Sequence, residues 1–152
     1  IKPNRLTRSR HEISAFLESL SGDRVGLVAF SGEAQVMVPL TLDYGTVQMM
    51  LRELNPGWLM PGTNLESAIR KGMSLYRNSN SVGQYAVMIL MSDGEELEAA
   101  AVNAAKEAAA IGIRIYTIGI GSREGVPIPV PSKNGSVAYK KDMQGNIVTT
   151  RL

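Results

Sequence analysis

Apolar residues recur along this chain at two spacings, and the alternation between them predicts an order of elements. Leu6, Ile13, Phe16, Leu17 and Leu20 fall at helical spacing, and Ser21-Gly22-Asp23 behind them is a stop signal. Val25-Gly26-Leu27-Val28-Ala29-Phe30 is a short continuous apolar run bounded by turn residues. Such a run suits a strand covered on both faces, as in a parallel sheet. Gln35-Val36-Met37-Val38 predicts a neighbouring strand, reached through a Ser31-Gly32-Glu33 hairpin, and Pro39 close behind it points to a sheet edge.

A second helix starts near Asp43, carries Val47, Met50, Leu51 and Leu54 on one face, and ends at Asn55-Pro56-Gly57. A third follows the Pro61-Gly62-Thr63-Asn64 turn, with Leu65, Ala68, Ile69, Gly72, Met73 and Tyr76 as its stripe. Gly72 on that stripe predicts close packing against the sheet. Tyr85-Ala86-Val87-Met88-Ile89-Leu90-Met91 is the strongest buried-strand pattern. Ser92-Asp93-Gly94 closes it and opens an alanine-rich helix over 95–111, where Asp93, Glu95, Glu96 and Glu98 suit the positive end of the dipole. Gly112 stops that helix, and 113–121 reads as the next strand. In the tail, the prolines of Val126-Pro127-Ile128-Pro129-Val130-Pro131 exclude a central strand, while 136–139 and 146–150 predict a peripheral hairpin.

Strands alternating with helices in this way imply an α/β domain of Rossmann-like, three-layer form. The expectation is a mainly parallel sheet with helices on both faces and one antiparallel edge strand. Ligands in such folds gather outside the carboxyl ends of the strands. That rule singles out the loops 31–33, 61–64, 92–96 and 119–123. A length of 152 residues suits one domain, and 44% hydrophobic with 20% charged residues excludes disorder, collagen-like repeats and coiled coils. No apolar run approaches the ~18 residues of a membrane span.

Charge and side-chain inventory narrow the chemistry. Sixteen Lys and Arg against 14 Asp and Glu leave a net charge of +2. Lys2, Arg5, Arg8 and Arg10 cluster near the start without interleaved aromatics, so no nucleic-acid surface is expected. Zero Cys removes disulfides, zinc knuckles and thiol catalysis. The single histidine, His11, lies between Arg10 and Glu12 on a polar helix side, which leaves hydrolytic triads without a base. Gly119-Ile120-Gly121 follows a strand, but Arg123-Glu124-Gly125-Val126-Pro127 is not the helix that a dinucleotide turn requires. What remains is rich in oxygen. Thr63 and Asp93 belong to loops on one sheet edge, and a hydroxyl with a carboxylate suits a hard cation such as Mg2+. The same residues are also good helix caps, so a capping role for Asp93 and for Thr63 or Asn64 stands beside the metal reading.

Asp23-Arg24-Val25-Gly26-Leu27-Val28-Ala29-Phe30-Ser31-Gly32 followed by Pro39-Leu40-Thr41-Leu42-Asp43-Tyr44-Gly45 resembles von Willebrand factor A domains, in particular their bacterial aerotolerance (Bat-type) branch. Pro61-Gly62-Thr63-Asn64-Leu65 and Leu90-Met91-Ser92-Asp93-Gly94-Glu95 match two further blocks in the right order, as do Ile118-Gly119-Ile120-Gly121 and the Pro-rich stretch after it. The resemblance covers 1–152 as a single partial domain, with 122–152 a peripheral Pro-rich loop and hairpin.

The resemblance implies a metal-ion-dependent adhesion site for Mg2+, or Mn2+ or Ca2+, with Thr63 and Asp93 as metal ligands. Ser31, Gly32, Gly62, Asn64, Gly94 and Glu95 would form the partner-binding rim. The family's Asp-x-Ser-x-Ser loop does not occur in this sequence. The chain is therefore expected to start after that motif, to lack the first central strand and the final helix, and to bind Mg2+ weakly or not at all by itself. Strands 25–30 and 85–91 are then expected to pair directly or to be bridged by another copy, giving self-association. The implied function is protein–protein interaction in which the cation receives a partner's acidic side chain, without catalysis. The implied parent is a bacterial inner-membrane-anchored protein with its soluble domain in the periplasm. Its implied partners are a MoxR-type ATPase or other domains of the same family, with membrane contact only through segments outside 1–152. A metal-independent scaffold is the alternative, and a Rossmann-like nucleotide enzyme is a more distant one.

Overall fold

The computed structural model describes residues 5–79, 85–92 and 99–120, together with the strand segments 126–127, 129–130, 138–139 and 149–150. Helix α1 (Arg5–Ser19) leads through the left-handed Gly22, at φ 85°, into β1 (Val25–Phe30) and β2 (Ala34–Thr41). Helix α2 (Tyr44–Glu53) follows, capped by Asp43, whose carboxylate accepts from the Thr46 amide at 3.0 Å. A short 3-10 turn (Pro56–Trp58) and a loop then lead into α3 (Leu65–Arg77). The remaining core elements are β3 (Ala86–Ser92), α4 (Ala99–Ala110) and β4 (Ile113–Gly119). The order matches that expected from periodicity. Of the alanine-rich helix predicted over 95–111, the part over 95–98 lies outside the described residues.

Beta1 and β2 form an antiparallel ladder and β3 and β4 a parallel one. Strand β2 is longer than the predicted 35–38 and runs through Pro39. It tolerates the proline because the ladder slips there: Leu27 faces Val38 while Val25 faces Thr41, which leaves one extra residue on β2. A second slip at Met37 changes the parity of β2. Ala34 consequently packs toward α3 and Val38 toward α1 and α2, although both are even-numbered.

Helices lie on both sides of the first ladder. Leu17 of α1, Val47 of α2 and Val38 bury one another on one face, with Val25 and Leu27 against them. On the other face Ala34, Val28 and Phe30 meet Leu65 and Ala68 of α3, and the same cluster includes Leu90 of β3 and Ala101 of α4. Ile69 and Met73 of α3 then join Ala104, Ala108 and Ile113. The side chain of Arg10, part of the basic cluster, donates to the Leu54 carbonyl and ties α1 to the end of α2. His11 is exposed, as its polar neighbours imply.

Three expectations are corrected. The run at 85–91 was expected to be covered on both faces, but among the described residues helices cover only one. Met88 and Leu90 face α3 and α4, while Val87 (58% exposed), Ile89 (37%), Tyr116 (55%) and Ile118 (43%) share the open side. Next, strands β1 and β3 do not pair with each other, so direct closure of the sheet is not what the chain adopts. Finally, 136–139 and 146–150 do not pair as a hairpin among the described residues. Ala138–Tyr139 pairs with Pro129–Val130, and Thr149–Thr150 with Val126–Pro127. Proline offers no N–H, and ladders this short and peripheral are where it is tolerated.

Candidate functional site

Helix α3 fixes the geometry of the site. At its start, the Asn64 amide donates to the Ser31 carbonyl at 2.7 Å, just beyond the end of β1. Near its end, Leu75 reaches the beginning of β1: a methyl on Gly26 would lie 2.9 Å from Leu75 Cδ1. Its Gly72 is in contact with Met88 early in β3, whereas Leu65 and Ala68 lie with Leu90 late in β3. Helix α3 therefore runs opposite to both strands, and β1 and β3 run parallel to one another. The close approach expected of Gly72 is present. This arrangement brings Thr63, the loop 31–33 and the end of β3 to the same rim, the carboxyl end of the strands.

The rim is clasped by backbone. The Gly32 amide donates to the Met60 carbonyl at 2.8 Å, and the Ser31 hydroxyl donates to the Gly62 carbonyl at 2.9 Å. Gly62 adopts φ 134°, a region that disfavours side chains, and a methyl there would lie 2.9 Å from Gly32 Cα. Two glycines thus stand face to face because nothing larger fits. The hairpin and the loop before α3 form one unit, and four predicted rim residues, Ser31, Gly32, Gly62 and Asn64, are brought together in it.

Capping of α3 falls to Asn64, whose side-chain oxygen accepts from the Ser67 amide at 2.8 Å. Thr63 is half-buried and precedes that cap, so its hydroxyl is not the capping group. At the other side of the rim, β3 ends at Ser92, whose carbonyl accepts from the Ile120 amide at 2.9 Å. Asp93, Gly94 and Glu95 follow it directly in sequence and lie outside the described residues. Among the described residues there is no group of three or more His, Cys, Asp or Glu suited to a metal.

Several contributors escaped sequence reasoning. Ser67 accepts from the amide of buried Ala34 at 3.1 Å and so ties α3 to β2. Its place three residues after Asn64 is the one local signal that existed. Met60 enters through its carbonyl, for which side-chain identity carries no signal. Beside it, Trp58 and Met60 are exposed on the rim loop. Farther along α3, Arg70 bridges Glu66 at 2.8 Å and Glu107 of α4 at 2.8 and 3.0 Å. The bidentate contact, with Glu66 second, raises the guanidinium pKa and holds the Glu107 carboxyl below its ordinary value.

Comparison with known proteins agrees with this geometry. The von Willebrand factor type A domain matches residues 1–96. An aerotolerance-related membrane protein from Bacteroides fragilis is 32% identical, with a TM-score of 0.87 over 100% of this chain and 73% of its own. BatB from Bacteroides thetaiotaomicron is 35% identical, with a TM-score of 0.86 over 100% and 72%. Manganese-loaded TRAP protein from Plasmodium vivax, 22% identical over 78% of this chain and 51% of its own, shares the fold at a TM-score of 0.67. Among curated sequences, an uncharacterized Borreliella burgdorferi protein is 27% identical over 87% of this chain, and the collagen alpha-1(VI) chain of Xenopus laevis is 28% identical over 85%. The chain spans 39% and 12% of those two relatives. No helix among the described residues is long and apolar enough to cross a membrane. The chain belongs to the von Willebrand factor type A domain family, a family of protein-interaction and adhesion modules, and its solved neighbours include Bat-type aerotolerance-related proteins.

Proposed function

We propose that this domain captures another protein through a divalent cation held at the rim, with Thr63 and Asp93 among its ligands and an acidic side chain of the partner completing the shell. The observation that carries the reading is the direction of α3. Because it runs opposite to β3, Thr63 before its first turn and Ser92 at the end of β3 belong to the same end of the layer, and Asp93 is next to Ser92 in sequence. Asn64 does the capping, which leaves the Thr63 hydroxyl available to a cation. A hydroxyl and a carboxylate are the donor types that Mg2+, Mn2+ and Ca2+ prefer. The manganese-loaded TRAP neighbour supports this choice of ion. Bound there, the cation would supply a Lewis-acidic position for a carboxylate oxygen. The chain's own part is to hold the rim rigid through the Gly32–Gly62 clasp.

The parent protein in this reading is anchored in a bacterial membrane with the domain on the periplasmic side. It works with a MoxR-type ATPase or with other domains of its own family. The experiment is a calorimetric titration of the parent protein with MgCl2. Thr63→Ala and Asp93→Ala are each expected to weaken Mg2+ binding roughly tenfold or more, the scale seen when support for a metal ligand is lost. Isotherms unchanged by both substitutions would return the domain to a metal-independent scaffold.

A further inference from the structure

One residue of the hairpin tip holds Thr63 from both sides. The Ser31 hydroxyl donates to the Gly62 carbonyl at 2.9 Å, and the Ser31 carbonyl accepts from the Asn64 amide at 2.7 Å. Gly62 and Asn64 flank Thr63 in sequence. A peptide unit is planar, so anchoring its C=O or its N–H restrains the whole plane. The first bond therefore restrains the plane between Gly62 and Thr63, and the second the plane between Thr63 and Asn64. The angles φ and ψ of Thr63 are the rotations that relate those two planes. Ser31 bears on both.

In threonine the side chain follows the backbone. Two heavy atoms on Cβ restrict χ1, so the direction of the hydroxyl is tied to φ and ψ. The two planes are not equally secure. Asn64 is tied to α3 as well, by its side chain on the Ser67 amide and by its carbonyl on the Ala68 amide. On the other side stands Gly62, at φ 134°, the residue type with the widest choice of backbone conformations. The Ser31 hydroxyl is set against that freedom. Its own support is firm, because the Ser31 amide donates to the Glu33 carbonyl at 2.8 Å within the hairpin turn.

We infer that Ser31 is a positioning residue for the cation: by bracketing Thr63 it aims the threonine hydroxyl, and it acts through Gly62 and Asn64 rather than on the ion or the partner. Groups that orient a metal ligand contribute to affinity without touching the metal. The role rests on the proposed cation at Thr63. It moves Ser31 from the surface that meets the partner to the support beneath it, since its hydroxyl is spent on the Gly62 carbonyl.

The test is a calorimetric titration of the parent protein with MgCl2. Ser31→Ala is expected to weaken Mg2+ binding roughly three- to tenfold, the scale of one net hydrogen bond. Ser31→Thr, which keeps a hydroxyl, is expected to restore most of the loss. Gly22→Ala carries its strain at the opposite end of β1 and is expected to bind as the wild type does, which separates aim from stability. In a Thr63→Ala background, Ser31→Ala is expected to add no further loss, because it acts through Thr63. A wild type that takes no Mg2+, or takes it regardless of Thr63, overturns the cation reading and this role with it. Four results overturn the role of Ser31 alone: Thr63-dependent binding left intact by Ser31→Ala, a loss that Ser31→Thr does not restore, a loss that adds to that of Thr63→Ala, or an equal loss in Gly22→Ala.

Discussion

Replacing Gly32 by alanine isolates the clasp that holds the rim. A methyl on Gly32 would lie 2.5 Å from the Pro61 carbonyl oxygen and 3.1 Å from that of Met60. Carbon and oxygen settle at about 3.3 Å or more, so one strand of backbone must retreat by roughly 0.8 Å. Both atoms met are backbone, so no side chain can rotate away. The retreat loosens the 2.8 Å bond from the Gly32 amide to the Met60 carbonyl. Overpacking costs about 1–3 kcal/mol and a lost hydrogen bond about 1 kcal/mol, giving a total of about 2–4 kcal/mol. For a chain of this length that corresponds to a fall in Tm of roughly 5–15 °C.

Gly22 provides the control, because it adopts φ 85° with nothing within 4 Å of an added methyl. Gly22→Ala therefore tests left-handed strain alone, worth about 1–2 kcal/mol, whereas Gly32 has no positive φ. Differential scanning calorimetry on both variants separates crowding from backbone strain. Trp58, the only tryptophan, lies on the displaced loop, and its emission is expected to shift in Gly32→Ala but not in Gly22→Ala. A Gly32→Ala protein that melts with the wild type, or a larger loss at Gly22, would refute the steric argument.

Further substitutions probe the cap of α3 and its bridge to α4. Asn64→Ala removes the cap from the Ser67 amide and is expected to cost about 1 kcal/mol, while Asn64→Asp retains most of it. Equal melting of the two variants would show that the cap contributes nothing. Glu107→Gln tests the bridge to Arg70 by its pH dependence. The folded carboxyl sits below its ordinary value of 4.5, chiefly because it accepts hydrogen bonds from Arg70. A depressed carboxyl pKa means that the bridge's contribution is complete above pH 4.5 and fades as pH falls through the folded value. The Tm gap between wild type and variant is therefore expected to be flat near neutrality and to close in acid, and added salt narrows it because the pair is exposed. A gap that widens in acid would contradict this.

Local chemistry made much of the fold legible. The 3.6-residue stripe on α3, the start of α2 at Asp43 and the apolar runs of β1 and β3 each state their structure within a few neighbouring residues. The turn at 61–64 before α3 was legible for the same reason, since a Pro-Gly turn before a helix is a local event. What depended on distant partners was hidden. Val36-Met37-Val38 is apolar throughout, so its pattern cannot reveal the register slip that sends Val36 and Val38 to opposite faces. A continuous run such as 85–91 signals an apolar strand but not how many faces its neighbours cover. In the tail, short segments choose among equivalent partners: Ala138–Tyr139 takes Pro129–Val130, and Thr149–Thr150 takes the distant Val126–Pro127. The Met60 carbonyl and the Arg70–Glu107 bridge likewise required the third dimension.

Helix α3 carries the rim at one end and roofs the parallel strands along the rest of its length. A rod gripped in this way transmits displacement: a load on the Thr63 turn would be carried along the helix to its contacts at Gly26 of β1 and Met88 of β3.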